Sequence, residues 1–199
     1  DGASWIDSNV TMEVTGVDNG RYNSIALDSN DYPRISFRNE TSDDLELAVW
    51  GGASWTTEIV DSTNNVGSWT SIAIDSSDLT RIAYYYDSGG DLRYAYHDGS
   101  SWTIQDIDTS SSSKKIVLML DGSDRARIAY GSANDARLAY NNTGEGDSWV
   151  VLGVDTHNDV GRDMAMEVDP EGTAYLVYRD HTKAKARYAT VYTNTVWRT

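Results

Sequence analysis

Cysteine is absent from all 199 residues. This excludes disulfides and thiolate-held metals and leaves the redox compartment open, because many exported β-rich proteins need neither. Phenylalanine occurs once and proline twice, whereas Trp occurs seven times and Tyr thirteen. The aromatic bulk therefore carries a polar handle, which suits packed surfaces whose edges reach water. Of the 16 basic residues only four are Lys, and 31 acidic residues set the net charge at −15. Such a surface repels phosphate backbones and anionic lipid, which argues against a nucleic-acid partner. Its plain consequence is solubility for a Trp-rich chain. No run of 18 apolar residues is present, so no membrane insertion is expected. No signal-like segment opens the sequence, so export would be directed from outside it. Apolar spacing at three and four residues is nowhere sustained over about ten positions, and helix should be minimal.

What the chain has in abundance is repetition. Trp5, Trp55, Trp102, Trp149 and Trp197 follow one another at intervals of 50, 47, 47 and 48 residues. In phase with them run Asp28, Asp75, Asp121 and Asp169, spaced 47, 46 and 48. A fixed period of this size outranks local secondary-structure signals and marks each repeat as one supersecondary unit. The approximate units are 1–50, 51–97, 98–144 and 145–190 with a partial 191–199, all within a single domain spanning 1–199. Within a unit the hydrophobic period is two: "SIAID", "TRIAYYY", "LRYAYH" and "SWTIQDID" are short, rich in β-branched and aromatic residues, and separated by Asp, Ser and Gly. Those separators suit hairpin turns. Four antiparallel strands recurring every 40 to 50 residues predict an all-β fold, a β-propeller of four repeats. The Trp strands number five against four sets of the other three. One extra terminal strand is therefore expected. It either leaves a four-bladed ring with a surplus edge, or belongs to a larger, five-bladed ring, or pairs with a neighbouring chain or a second copy.

The segments "IDSSDLTRIAYYYDSGGDLRYAYHDGSSWT" and its counterparts resemble a repeat found in secreted and surface proteins of bacteria and archaea, distantly similar to the Asp-box repeats of sialidase-like propellers. Against the Asp-box pattern, Gly99 and Trp102 match, while Ala95 and His97 stand where Ser and Asp are usual, so the stretch is Asp-box-like. The resemblance implies that "SIALD", "SIAID", "VLML" and "AMEV" are innermost strands. It puts "PRISF", "TRIAY", "ARIAY" and "AYLVY" second, "LELAVW", "LRYAY", "ARLAY" and "ARYAT" third, and the Trp strands outermost. Each Trp would then cover the gap to the next blade. An extracellular or cell-surface location follows from the same resemblance.

Four constellations carry candidate chemistry. The turn pairs Asp28/Asp31, Asp75/Asp78, Asp121/Asp124 and Asp169/Glu171 have the oxygen chemistry of a calcium site but lack the dense spacing of a dedicated loop; Asx turns explain them equally. Calcium is the one cofactor the sequence leaves open; otherwise none is expected. Arg34, Arg81 and Arg127 recur at one equivalent position, replaced by Tyr175 in the fourth repeat. They read as structural residues bonding the next blade's turn Asp. The third set breaks the repeat. Positions entering the innermost strand hold Tyr22, Trp69, Lys115 and Asp163, and positions leaving the second strand hold Arg38, Tyr85 with Asp87, Gly131 with Ser132, and Arg179 with His181. Aromatic rings, cations and carboxylates around a propeller mouth are what sugar binding uses. The ligand-binding set is accordingly Tyr22, Arg38, Trp69, Tyr85, Asp87, Lys115, Arg179 and His181. The fourth is acid/base work by Glu40, Asp87, Asp163 or Asp180, but nothing singles out the pair that glycoside hydrolysis requires. His97, His157 and His181 do not recur in register, and no nucleophile elbow, phosphate loop or dinucleotide fingerprint appears. The sequence thus predicts a non-catalytic module binding a glycan or a surface protein, with an assembly subunit second and a glycosidase-like enzyme third.

Overall fold

In the computed structural model, residues 10, 17–109, 115–143, 148–157 and 159–193 are described; the Trp5 and Trp197 strands, and with them the surplus strand, lie outside these residues. Among the described residues, fifteen strands and no helix form four antiparallel sheets. The first is β1 (Asn19–Leu27), β2 (Pro33–Asn39), β3 (Asp44–Trp50) and β4 (Trp55–Asp61). The second is β5 (Val66–Ile74), β6 (Thr80–Tyr86), β7 (Asp91–His97) and β8 (Trp102–Asp108). The third is β9 (Ile116–Leu120), β10 (Ala126–Ser132), β11 (Asp135–Tyr140) and β12 (Val150–Asp155). The fourth has three strands among the described residues, β13 (Met164–Val168), β14 (Ala174–Asp180) and β15 (Lys185–Val191).

Each sheet is a meander because each turn carries its own geometry. Asp28 Oδ1 accepts the amides of Asn30 and Tyr32, Asp75 Oδ1 those of Ser77 and Leu79, and Asp121 Oδ1 those of Ser123 and Arg125. The residue three further on, Asp31, Asp78 or Asp124, is left-handed at φ near 60°, a conformation that Asp tolerates better than most residues. The sheets stand side by side, with β1 against β5, β5 against β9 and β9 against β13. The first strands therefore form the hub, as the resemblance implies. Apolar side chains meet between neighbouring sheets: Leu45 and Leu47 with Ile72, Ile82 and Tyr84; Leu92 and Tyr94 with Leu118 and Ile128; Leu138 with Met164, Met166 and Leu176. The outer Trp residues bridge these seams, Trp102 Nε1 donating to Glu58 at 3.3 Å and Trp149 Nε1 to Gln105 at 3.0 Å, each across to the preceding sheet.

A second seam device recurs. The last Asp of each outer strand accepts the hydroxyl of a second-strand Tyr of the next sheet: Tyr84 to Asp61 at 2.7 Å, Tyr130 to Asp108 at 2.7 Å and Tyr178 to Asp155 at 3.1 Å. A third-strand Arg joins the same carboxylate, Arg93 at 3.1 Å, Arg137 at 3.0 Å and Arg187 at 3.9 Å. The register explains the pairing, since Tyr84 lies opposite Arg93, Tyr130 opposite Arg137 and Tyr178 opposite Arg187. In the first sheet the same two positions hold Phe37 opposite Glu46, so that sheet has no clamp to offer.

The clamp makes stability depend on alkaline pH. Burial and the adjoining carboxylate raise Tyr84 and Tyr130 well above the ordinary tyrosine value of 10.0 and push Tyr178 up to about 12. The folded protein keeps these protons where the unfolded chain loses them, so their contribution is whole below about pH 10 and is lost as pH rises beyond it. Burial alone would raise the Asp61 carboxyl, but Tyr84, Thr63 and Arg93 together hold it below its ordinary value. The urea midpoint is expected to be level around pH 8–9 and to fall above about pH 10. Tyr130→Phe should cost about 1–2 kcal/mol at the level part and flatten the fall; an unchanged slope would contradict the clamp.

Candidate functional site

At the hub, the chain enters β1 and β5 through matching irregularities. Gly20 and Gly67 lie at φ +90° and +89°, and two residues later Tyr22 and Trp69 lie at φ 52° and 57°. The ladder between β1 and β2 slips at Asn19/Arg21 and Arg21/Ser24, and that between β5 and β6 slips at the corresponding places. These are β-bulges, which re-aim a side chain that regular pleating would point elsewhere. A bulky residue in left-handed backbone costs on the order of 1–3 kcal/mol and persists only where its surroundings hold it. They do so here: buried Thr70 donates its hydroxyl to the Tyr22 carbonyl at 2.7 Å and accepts from Ser36 at 2.8 Å, and Asn23 donates to the Gly20 carbonyl.

The two rings meet at 4.8 Å with an interplanar angle of 44°. They line a cleft of about 340 Å³ together with Asn23, Thr70, Lys115 and Ile116. Trp69 keeps 37% of its surface exposed, and Lys115 is exposed beside it. Of the mouth residues expected from the sequence, Tyr22, Trp69 and Lys115 thus come to one place.

The others do not join them. Arg38 is buried and spent on its own seam: it donates to the Val66 carbonyl at 2.8 Å and pairs with Glu40 at 2.9 Å, Asp87 at 3.3 Å and Asp43. It is a tie between the first two blades, with no guanidinium face left for a ligand. Asp87 is the other end of that tie and also accepts the Ser68 hydroxyl at 2.7 Å; burial pushes its carboxyl up against those two contacts. Tyr85 packs against the core of the second seam. Arg179 lines a separate hollow of about 480 Å³ on the fourth blade with Asp163, Val177 and Lys185. His181 Nε2 lies 3.2 Å from Asp163 Oδ2.

The arginine series is structural and works both within a blade and across the seam. Arg34, Arg81 and Arg127 pair with the turn Asp of their own blade, Asp28 at 3.5 Å, Asp75 at 2.6 Å and Asp121 at 2.8 Å, while Arg34 also donates across the seam to the carbonyl of Asp78, the next blade's turn Asp, at 2.7 Å and to Thr80 Oγ1 at 2.8 Å, and Arg127 to the Gly172 carbonyl of the fourth blade's turn at 3.4 Å. Antiparallel pairing sets Arg34 opposite Ala26, Arg81 opposite Ala73 and Arg127 opposite Met119, two residues from the turn Asp of its own blade and on its face. Tyr175 replaces the series by donating to Asp169 at 3.1 Å. The second turn Asp looks the other way: Asp78 accepts from Ser29, and Asp124 from Ser76, of the preceding blade. The paired turn carboxylates are thus occupied separately, and among the described residues no group of three or more His, Asp or Glu is placed to hold a metal.

No family model matches the chain, and no curated protein matches it. Solved structures do. A protein of unknown function from Dyadobacter fermentans superposes with a TM-score of 0.62 at 13% identity, over 83% of this chain and 51% of that one. The lectin of Aleuria aurantia, in complex with Fucα1-6GlcNAc, superposes with a TM-score of 0.57 at 14% identity, over 87% of this chain and 58% of that one. The chain therefore spans little more than half the length of these two structures. The fold is that of the β-propellers, with the four sheets standing as successive blades.

Proposed function

We propose that the chain is a non-catalytic glycan-binding propeller module, working outside the cell or at its surface, and that it receives sugar in the hub cleft. The observation that carries this reading is the pair of aromatic side chains, Tyr22 and Trp69, held in left-handed bulges against their conformational preference. Strain of this kind gathers at ligand sites, because folding alone gives no reason to keep it. An exposed indole face stacks on the C–H face of a pyranose, and Lys115, Asn23 and Thr70 supply hydroxyl partners around it. Glycoside hydrolysis needs two carboxyls flanking the bond, whereas none of the six residues lining the cleft is acidic. The sugar-bound lectin among the structural neighbours supports the same class of ligand.

A neutral-glycan array, read with calcium and again with EDTA, tests the reading. Trp69→Gly should weaken every positive signal by at least about tenfold, while the urea midpoint stays within about 1 kcal/mol, because glycine relieves the left-handed strain as the ring contact is lost. Absence of any glycan signal, or signal untouched by Trp69→Gly, would defeat it.

A further inference from the structure

We infer that the seam between the second and third blades holds a ligand site of its own, independent of the hub cleft, which takes the hydroxyl-bearing edge of a neutral sugar ring where the other two seams place a side-chain hydroxyl.

The recurring arginine shows what a seam asks for. Between the first and second blades, Arg34 donates across to the hydroxyl of Thr80 at 2.8 Å. Between the third and fourth blades, Ala174 stands at the position of Thr80, opposite the last residue of the hub strand. There a hydroxyl arrives from another part of the chain: Thr193 Oγ1 accepts from Arg127 Nε at 2.9 Å and donates to the Gly172 carbonyl. Two unrelated threonines thus bring a hydroxyl to the arginine of this series, beside the turn of the next blade.

The middle seam differs. Ala126 is its equivalent of Thr80, and Arg81 turns Nη1 to the His97 carbonyl of its own blade at 2.7 Å. A half-open cavity of about 120 Å³ lies there, with Arg81 and Ala126 in its lining together with Tyr94, Asp124, Asn141 and Trp149.

The lining sets the chemistry of the occupant. Tyr94 stands where the first blade has Leu47 and meets Trp149 edge to face at 5.0 Å, an aromatic wall for the C–H face of a pyranose. Trp149 Nε1 is already held by Gln105, so the indole is in place before a ligand arrives. The charges are matched as well. Arg81 pairs with Asp75 at 2.6 Å and Arg125 with Asp121 at 2.9 Å, while Asp124 accepts the Ser76 amide and hydroxyl. An anion would meet Asp124 with both arginines spent, and a cation would meet two guanidinium groups, so a neutral hydroxyl compound fits best. Only one edge of the ring enters the cavity, and affinity in the millimolar range is expected. Binding so weak does not survive the washing of an array, and signals there report the hub cleft alone.

Fluorine NMR of the fluorotryptophan-labelled chain tests this, with the Trp149 and Trp69 signals assigned through Trp149→Phe and Trp69→Phe. The methyl glycosides of glucose, galactose, mannose, fucose and N-acetylglucosamine are titrated in turn, and at least one should shift the Trp149 signal saturably. Ala126→Thr restores the hydroxyl of the first seam; it should weaken that response by at least about tenfold, with the thermal midpoint kept or raised and any response of Trp69 unchanged. Tyr94→Leu, which copies Leu47, removes part of the aromatic wall and should weaken the Trp149 response as well. No saturable shift of Trp149 with any of these glycosides overturns the inference and leaves the cavity to water, as does a shift that both variants leave intact.

Discussion

Arg127→Ala is expected to destabilise the protein by about 3–5 kcal/mol, the loss typical of removing one partner from a buried ion pair. The guanidinium is fully buried. It reaches Asp121 at 2.8 Å, the Asn141 carbonyl at 2.7 Å, Asn142 Oδ1 at 3.1 Å, Thr193 Oγ1 at 2.9 Å and the Gly172 carbonyl at 3.4 Å. One side chain thus satisfies the turn, the strand beside it and the neighbouring blade. Truncation removes all of these contacts from a site closed to water and opens a void as well. Asp121 retains Arg125 at 2.9 Å, which keeps the cost below that of a stranded carboxylate. The repeat supplies its own control. Arg34 occupies the same position in the first blade with 17% of its side chain exposed, a longer 3.5 Å pair to Asp28, and two seam contacts, to the Asp78 carbonyl at 2.7 Å and Thr80 Oγ1 at 2.8 Å, so Arg34→Ala should cost less, about 1–2 kcal/mol. Equal midpoint shifts in urea for the two variants would show that burial does not set the difference.

Gly161→Ala should cost about 2–5 kcal/mol, the sum of left-handed strain in a residue with a Cβ, about 1–2 kcal/mol, and overpacking, about 1–3 kcal/mol. The overpacking cannot be relieved by a rotamer, because the atoms in the way are the Asp135 carbonyl and the Ala136 Cα. The third and fourth blades must part to admit the methyl group. Gly99 isolates the first component: at φ +99° it carries the same backbone demand, but its nearest neighbour would be a Leu79 methyl at 3.9 Å. Gly99→Ala should therefore cost only about 1–2 kcal/mol. Thermal unfolding of the two variants beside the parent reads the seam's share directly, and coincident curves would rule the overpacking out.

The strands and their number per repeat follow from the period and from alternating hydrophobicity, since both survive in sequence form, whereas their assignment from hub to rim is what the resemblance implies. Tyr22, Trp69 and Lys115 were recognisable as mouth residues because they differ between repeats at a position where the blades are otherwise alike. Their left-handed backbone was signalled by Gly20-Arg21-Tyr22 and Gly67-Ser68-Trp69, a glycine two residues before a ring, which carries that meaning only once the bulge is seen. Direction was the harder matter. A recurring Arg and a recurring Asp announce a pair without saying whether they share a hairpin or cross a seam, and Arg34 does both, reaching Asp28 within its hairpin and the Asp78 carbonyl across the seam. Arg38 has the composition of a sugar ligand and is drawn inward by Asp43, Asp87 and Glu40, which gather from separate parts of the sequence. The Asp61–Tyr84–Arg93 clamp left a trace in phase with the repeat, and the trace was visible in Phe37 and Glu46 as much as in the residues that conform.

Those two departures carry a consequence of their own: the four units, however alike, are not interchangeable parts. A unit with Phe and Glu at these positions belongs only where nothing before it presents an Asp. Transplanted into second place, it would bury the Asp61 carboxylate against a ring edge and another negative charge. The order of units along the polypeptide is thereby written into the chemistry of their joints, and any shuffled or lengthened array would have to keep a Tyr–Arg unit behind every unit that ends in Asp.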